Sequence, residues 1–348
     1  MATKGYSSYR GRASAKKVAL VIVLVLVILA AAGYLVAQNY IVYDADGNAR
    51  LELPFKKPTK NPKPEGGDVS LNVQEPEDAL LPVSPLMARE LPENALLLDP
   101  AAVLKENPGD LVIPVKLING GITFDIAADI PRQVGREAGD SLDNLKTLLA
   151  AGRYTVAHLC CLCDSYFVRA YPDAAFSLQS GSYWYDAQGW TWLDPANTET
   201  VSYLKTLCRE LAALGFDEIT LDYFSYPTIG NTAAIANLPE TGRLETMTAL
   251  AAALRAELPA DMPLSVVLRS EVSQELGLSY ELLTDAFERI YLAPGADTAA
   301  LTAALPEGYD ARRLVPMTTA AQEGSYVLLP AVRSSAVRHR HHIPVMGL

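Results

Sequence analysis

Histidine and cysteine are both scarce in this sequence, four of each in 348 residues. Three cysteines, Cys160, Cys161 and Cys163, crowd one short stretch, and Cys208 stands apart. A Cys-Cys-Leu-Cys run lacks the paired spacing of zinc ligands, and three of the four histidines lie in the last ten residues. No metal centre is therefore expected in the folded region. The cysteines read as small buried hydrophobes; the alternative is a disulfide from Cys208 to one of the other three in an oxidising compartment. Basic residues are outnumbered, 29 against 40 acidic, for a net charge of −11. Without the five that precede residue 18, the remainder carries 24 against 40, or −16. Such a surface repels phosphate, which excludes nucleic acids and anionic polymers as partners and leaves neutral glycans open. There is no internal repeat.

Charge is missing altogether from Val18 to Ala37, an unbroken apolar run. Its length, about 20 residues, is what a helix needs to cross roughly 30 Å of hydrocarbon. Lys4, Arg10, Arg12, Lys16 and Lys17 precede it without a single acid. A single-pass anchor over 18–38 is expected, with a cytoplasmic N-terminus and the rest of the chain outside the cell membrane. The competing reading is a cleaved signal peptide ending near Ala30-Ala31-Ala32-Gly33.

Beyond the run come an Asp-Ala-Asp-Gly turn at 44–47 and then a stretch rich in Pro, Lys, Glu and Gly. Residues 39–90 therefore read as a semi-rigid spacer. Residues 334–348, with Arg338, His339, Arg340, His341 and His342, read as a basic tail. Between them, over 91–333, apolar runs alternate with helical patterns. The expected strands are 95–98, 111–118, 154–162, 218–225, 264–268, 290–293, 314–317 and 326–329. The clearest helices are 141–151, 198–214 (N-capped near Thr198 and stopped by Gly215) and 240–257. Near-continuous apolar strands are covered on both faces, and this rhythm predicts a (β/α)8 barrel, with a doubly wound open sheet as the alternative.

In such a barrel, residues at strand ends face the active-site rim. Alternation puts Glu218, Thr220 and Asp222 on one face of the fourth strand, with Asp222 at the end before a Tyr/Pro turn. Glu271, after the fifth strand, offers a second acid, and Asp164, after the third, is another or else a helix cap. His158 is a core histidine or a substrate contact. Lys116 interrupts an apolar run and needs a carboxylate partner or solvent. Glycosidases use two carboxyl groups, one giving a proton and one acting as nucleophile or base. Asp222 with Glu271 or Asp164 is the expected catalytic set. Trp184, Trp190 and Trp192, the only tryptophans, with Tyr223 and Tyr226, either stack on sugar rings or anchor a long loop. This chemistry calls for no cofactor.

Trp192-Leu-Asp-Pro195, the 198–214 helix and Gly215-Phe-Asp-Glu-Ile-Thr-Leu-Asp-Tyr-Phe-Ser-Tyr-Pro227 together carry a resemblance. They resemble a bacterial family of glycoside hydrolase domains, distantly similar to the alpha-amylase type of (β/α)8 barrel. That family shows Trp-Val-Asp-Pro, a helix, then Gly-Phe-Asp-Glu-Ile-Gln-Phe-Asp-Tyr-Val-Arg-Phe-Pro. The likeness runs more loosely from about residue 95 to 330 and includes Val115-Lys116, Asp164 before Ser165-Tyr166, and Tyr171-Pro172-Asp173. It implies Asp222 as the nucleophile equivalent, with Lys116 and Asp164 lining the same mouth. The chain is a divergent member by this measure. Pro114 stands where the family has Asp, Ser225 where it has Arg, and an Arg near His158 is missing. Hydrolysis of a cell-surface or environmental polysaccharide is the expected activity, and a non-catalytic glycan-binding or envelope-scaffolding barrel is the alternative.

Overall fold

The computed structural model describes residues 41–43, 49–51, 80–126 and 141–330. The expected membrane span, the 44–47 turn, most of the spacer and the basic tail lie outside the described residues. Among the described residues no helix is long and apolar enough to cross a membrane. The chain divides into two units between Val73 and Gln74. The first holds an antiparallel strand pair, Ile41–Tyr43 with Ala49–Leu51.

The second unit is a closed barrel of eight parallel strands. They are β1 (Met87–Glu90), β2 (Asp110–Lys116), β3 (Thr155–Cys160), β4 (Glu218–Asp222), β5 (Leu264–Leu268), β6 (Ile290–Leu292), β7 (Leu314–Thr318) and β8 (Tyr326–Leu328). Each pairs with its sequence neighbours, and β8 closes on β1 through Val327 opposite Ala88. The helices are α1 (Pro100–Glu106), α2 (Ser141–Leu149), α3 (Phe167–Ala170), α4 (Thr198–Leu214), α5 (Arg243–Arg255), α6 (Tyr280–Ala286) and α7 (Thr298–Ala304). The barrel reading holds, and the open sheet is excluded by closure.

Strand alternation separates two cores. Ala88, Val112, Val156, Val267, Tyr291, Val315 and Val327 fill the interior of the ring. Ile113, Ala157, Leu159, Ile219, Leu221 and Val266 point outward and pack with Leu145, Leu204, Leu211 and Leu250 of the helices. Near the start of β4, Glu218 is fully buried, and burying an isolated charge there would be costly. It is satisfied instead: Tyr154 and Tyr291 each donate a hydroxyl hydrogen bond at 2.8 Å, and Arg289 forms an ion pair with it.

One strand differs from expectation. Ala95–Leu97 is a 3-10 turn, and the first strand is Met87–Glu90, ahead of the expected domain start. The Ala-Leu-Leu-Leu run is apolar, yet Leu97 and Leu98 stay exposed, because Asp99 begins a helix at once. The Asp99 side chain accepts from Ala101 N–H, and Pro100 opens α1. Helix α4 occupies the expected residues. Its cap is Asn197 rather than Thr198: the Asn197 side chain accepts from the N–H groups of Glu199 and Thr200. Gly215 ends the helix in the left-handed conformation at φ 92°.

Candidate active site

Asp222 ends β4 and faces into the ring, buried to 2% exposure. Its Oδ2 meets His158 Nε2 at 2.8 Å, and its Oδ1 accepts from the Tyr223 N–H at 2.7 Å. Arg269, just past β5, donates from Nε to Oδ1 and from an outer nitrogen to Oδ2, a two-pronged grip. Tyr223 is the one non-glycine residue with positive φ among the described residues, at 51°. That turn brings its ring under the Arg269 guanidinium, 4.5 Å from the ring centre.

Burial alone would push the Asp222 carboxyl up, but the hydrogen bonds and charges of Arg269 and His158 outweigh it and hold it well below the usual carboxylate range. His158 is largely but not fully buried, its side chain 12% exposed, and this desolvation by itself lowers an imidazole. Hydrogen bonds to Asp222 and Glu90, with their charges, push it up to about 10 instead. The second of those carboxylates was not expected: Glu90 ends β1, and its Oε1 lies 2.8 Å from His158 Nδ1. Glu90 and Asp222 at strand ends, His158 within β3 and Arg269 just past β5 thus form one chain of alternating charge.

Lys116 and Asp164 come together, but beneath packed side chains. Their ion pair spans 3.2 Å with both side chains buried. Lys116 also donates to the carbonyls of Cys160 at 2.7 Å and Cys163 at 3.0 Å. Asp164 accepts from Tyr203 Oη at 3.1 Å and from the N–H groups of Tyr166 and Phe167. The pair therefore fastens the turn after β3, and neither group is left for a substrate. Gly120 is required beside it: a Cβ there would stand 1.9 Å from an Asp164 oxygen, and φ is +88°. Glu271 is exposed in the loop after β5 and shares none of the contacts to Asp222.

The tryptophans mainly hold the long connection from β3 to α4. Trp184 is buried and donates to the Asn231 carbonyl at 2.9 Å. Trp192 is buried, donates to Asp186 at 3.0 Å and meets Tyr223 edge-on at 5.9 Å. Tyr226 is also buried, against Phe176 and under Arg243. Buried rings have no face to offer a sugar, so of the five rings expected to stack on sugar Trp190 and Tyr223, both half-buried, remain, and Tyr185, beside Trp184, is exposed as well. All four cysteines are free and buried, in accord with the reading as small hydrophobes. Among the described residues no cluster of ligating side chains fits a metal ion.

A groove of about 690 Å³ is walled by the loop after β4, the start of α5 and the loop after β5. Thr228, Thr232, Glu240, Arg243, Gln274 and Glu275 line it, and Asp222 does not.

Residues 103–272 match the model of a family described as "Putative glycosyl hydrolase domain". Among solved structures, a hypothetical protein from Ruminiclostridium thermocellum is similar at 23% identity and TM-score 0.43, over 51% of this chain and 96% of that one. An alpha-galactosidase from Thermus thermophilus is similar at 15% identity and TM-score 0.41, over 60% of this chain and 42% of that one. The glycoside hydrolase domain of PelA from Pseudomonas aeruginosa is similar at 14% identity and TM-score 0.36, over 62% and 72%. This chain thus spans under half of that galactosidase. No curated protein matches the sequence.

Proposed function

We propose that this barrel, whose residues 103–272 belong to the glycosyl hydrolase domain family, cleaves a glycosidic bond in a cell-surface or environmental polysaccharide, with Asp222 at the reacting centre. One observation carries the reading: a carboxylate at the end of the fourth strand is kept ionised by Arg269 and His158. Glycoside cleavage passes through an oxocarbenium-like state, and a fixed anion beside the anomeric carbon is what lowers its energy. Asp222 then acts as nucleophile or charge stabiliser. Arg269 holds its orientation and sets one edge of the sugar site. Lys116 and Asp164 support the turn after β3 instead of touching the sugar. Trp190, Tyr223 and the exposed Tyr185 are aromatic faces open to substrate. The 18–38 run tethers the domain outside the membrane, a reading that rests on its length and on the basic residues before it.

A second reading has its own observation. Both Asp222 oxygens are already engaged, by Arg269, His158 and the Tyr223 N–H. A carboxylate so saturated suits a barrel that binds glycan without cleaving it. Turnover on a polysaccharide panel separates the two. In the hydrolase reading Asp222→Asn loses at least about 100-fold in kcat, with binding retained. A wild-type chain that binds a glycan and never releases product supports the binding barrel. The same preparation tests the tether: the full chain should sediment with membranes, and a chain lacking residues 1–38 should not.

A further inference from the structure

We infer that Glu90 is a positioning residue for Asp222 that acts through His158: it fixes the ring with both nitrogens protonated, so that a cation rather than a neutral donor faces the reacting carboxylate. The role in turnover rests on the hydrolase reading, and the charge of the ring does not. Glu90 lies ahead of the matched 103–272 segment, so the family match assigns it nothing.

Each ring nitrogen of His158 stands 2.8 Å from a carboxylate oxygen, Nδ1 from Oε1 of Glu90 and Nε2 from Oδ2 of Asp222. A neutral imidazole has one N–H and one lone pair, and a lone pair turned on a carboxylate oxygen at that distance repels it. One more proton is therefore held here. Asp222 does not hold it, because Arg269 and the Tyr223 N–H already donate to both of its oxygens. Between the ring and Glu90, an imidazole is the stronger base by about two pH units. The ring carries the proton and donates from both nitrogens. Without Glu90, a neutral ring with its single N–H on Nε2 would satisfy Asp222, and nothing would demand the second proton.

Strand pairing explains why the second carboxylate comes from β1. On β2 the residue that pairs with His158 is Pro114, whose side chain has no donor or acceptor. Glu90 pairs with Val112 and reaches across β2 to Nδ1. On the other side of β3, Thr220 pairs with His158, and Asp222 lies two residues further along β4. The charged groups facing the ring are thus Glu90 from β1 and Asp222 from β4, with Arg269 behind Asp222. Lys116 of β2 is turned instead onto Asp164 and the carbonyls of Cys160 and Cys163. A charge-assisted hydrogen bond is about twice as strong as a neutral one. Water does little to weaken this one, since the Asp222 side chain is only 3% exposed.

Glu90→Gln keeps the shape of the side chain and removes its charge. Nitrogen NMR of the full chain reads the ring directly. In wild type both nitrogens of His158 should be protonated at pH 8, and in Glu90→Gln the second proton should leave at a midpoint at least about two pH units lower. A neutral wild-type ring at pH 8, or an unmoved midpoint in the variant, would overturn the inference whether or not the chain cleaves glycan. The wild-type spectrum alone decides the point should the variant fail to fold. The pH profile of kcat, on whichever panel polysaccharide the wild-type chain cleaves, reads the consequence for Asp222. Glu90→Gln should lose on the order of tenfold at pH 8. That deficit should shrink as pH falls below about 6.5, where the ring regains its proton. A merely structural role gives the same loss at every pH, and that result overturns the positioning role while the hydrolase reading stands. A wild-type chain without turnover overturns the hydrolase reading and the role in turnover with it, and the ring spectra still decide what Glu90 does to His158.

Discussion

His158 is the residue on which the electrostatics of the mouth turn. Its folded pKa is raised to about 10 by two carboxylates, against an ordinary value near 6.5. A raised folded pKa contributes stability that is fully present below the unfolded value and is lost as pH climbs through the folded one. The domain should therefore lose stability steadily between about pH 6.5 and 10. His158→Gln should flatten that slope, as thermal denaturation across the interval would show. Parallel curves for the two proteins would mean that the array does not hold its charge. Asp222 has the opposite sign, its stabilisation fading only in strong acid.

Elements differ in how plainly the sequence announces them. Helix α4 stands out because an amide cap, an amphipathic run and a glycine stop coincide, and β4 because Glu-Ile-Thr-Leu-Asp alternates cleanly between ring and helices. Strand β1 does not, since Ala88 is the only one of its four residues in the interior core. Glu90 was hidden for that reason. Asp222 was legible as an acid closing a strand before a turn, whereas its partner Arg269 is 47 positions away and no local pattern joins them. Lys116 needed a carboxylate or solvent, and only the folded turn reveals that Asp164 fills the need. The cap of α4 makes a direct test. Asn197→Ala removes an acceptor for two N–H groups and should cost about 1 kcal/mol of stability, measurable by urea unfolding. A change within a few tenths would show that water replaces it.

The whole barrel is closed by covalent order and strand pairing, and by one buried charge that ties distant strands. Glu218 on β4 joins Arg289 and Tyr291 at β6 to Tyr154 before β3, and Arg289 donates in turn to the Ser84 carbonyl ahead of β1. Removing one partner of a buried pair leaves the other uncompensated, which costs about 3–5 kcal/mol. Glu218→Ala should lower Tm by on the order of 10 °C in a domain of this size, with Arg289→Met close behind. A Tm within about two degrees of wild type would show that solvent reaches the pair.

The placement of the indoles has a spectroscopic consequence. Trp184 and Trp192 are shielded and hydrogen-bonded within the β3–α4 connection, and Trp190 alone is half open. Intrinsic emission will thus come mostly from two blue-shifted, quencher-resistant fluorophores that register unfolding, while any dimming caused by added saccharide traces to a single ring.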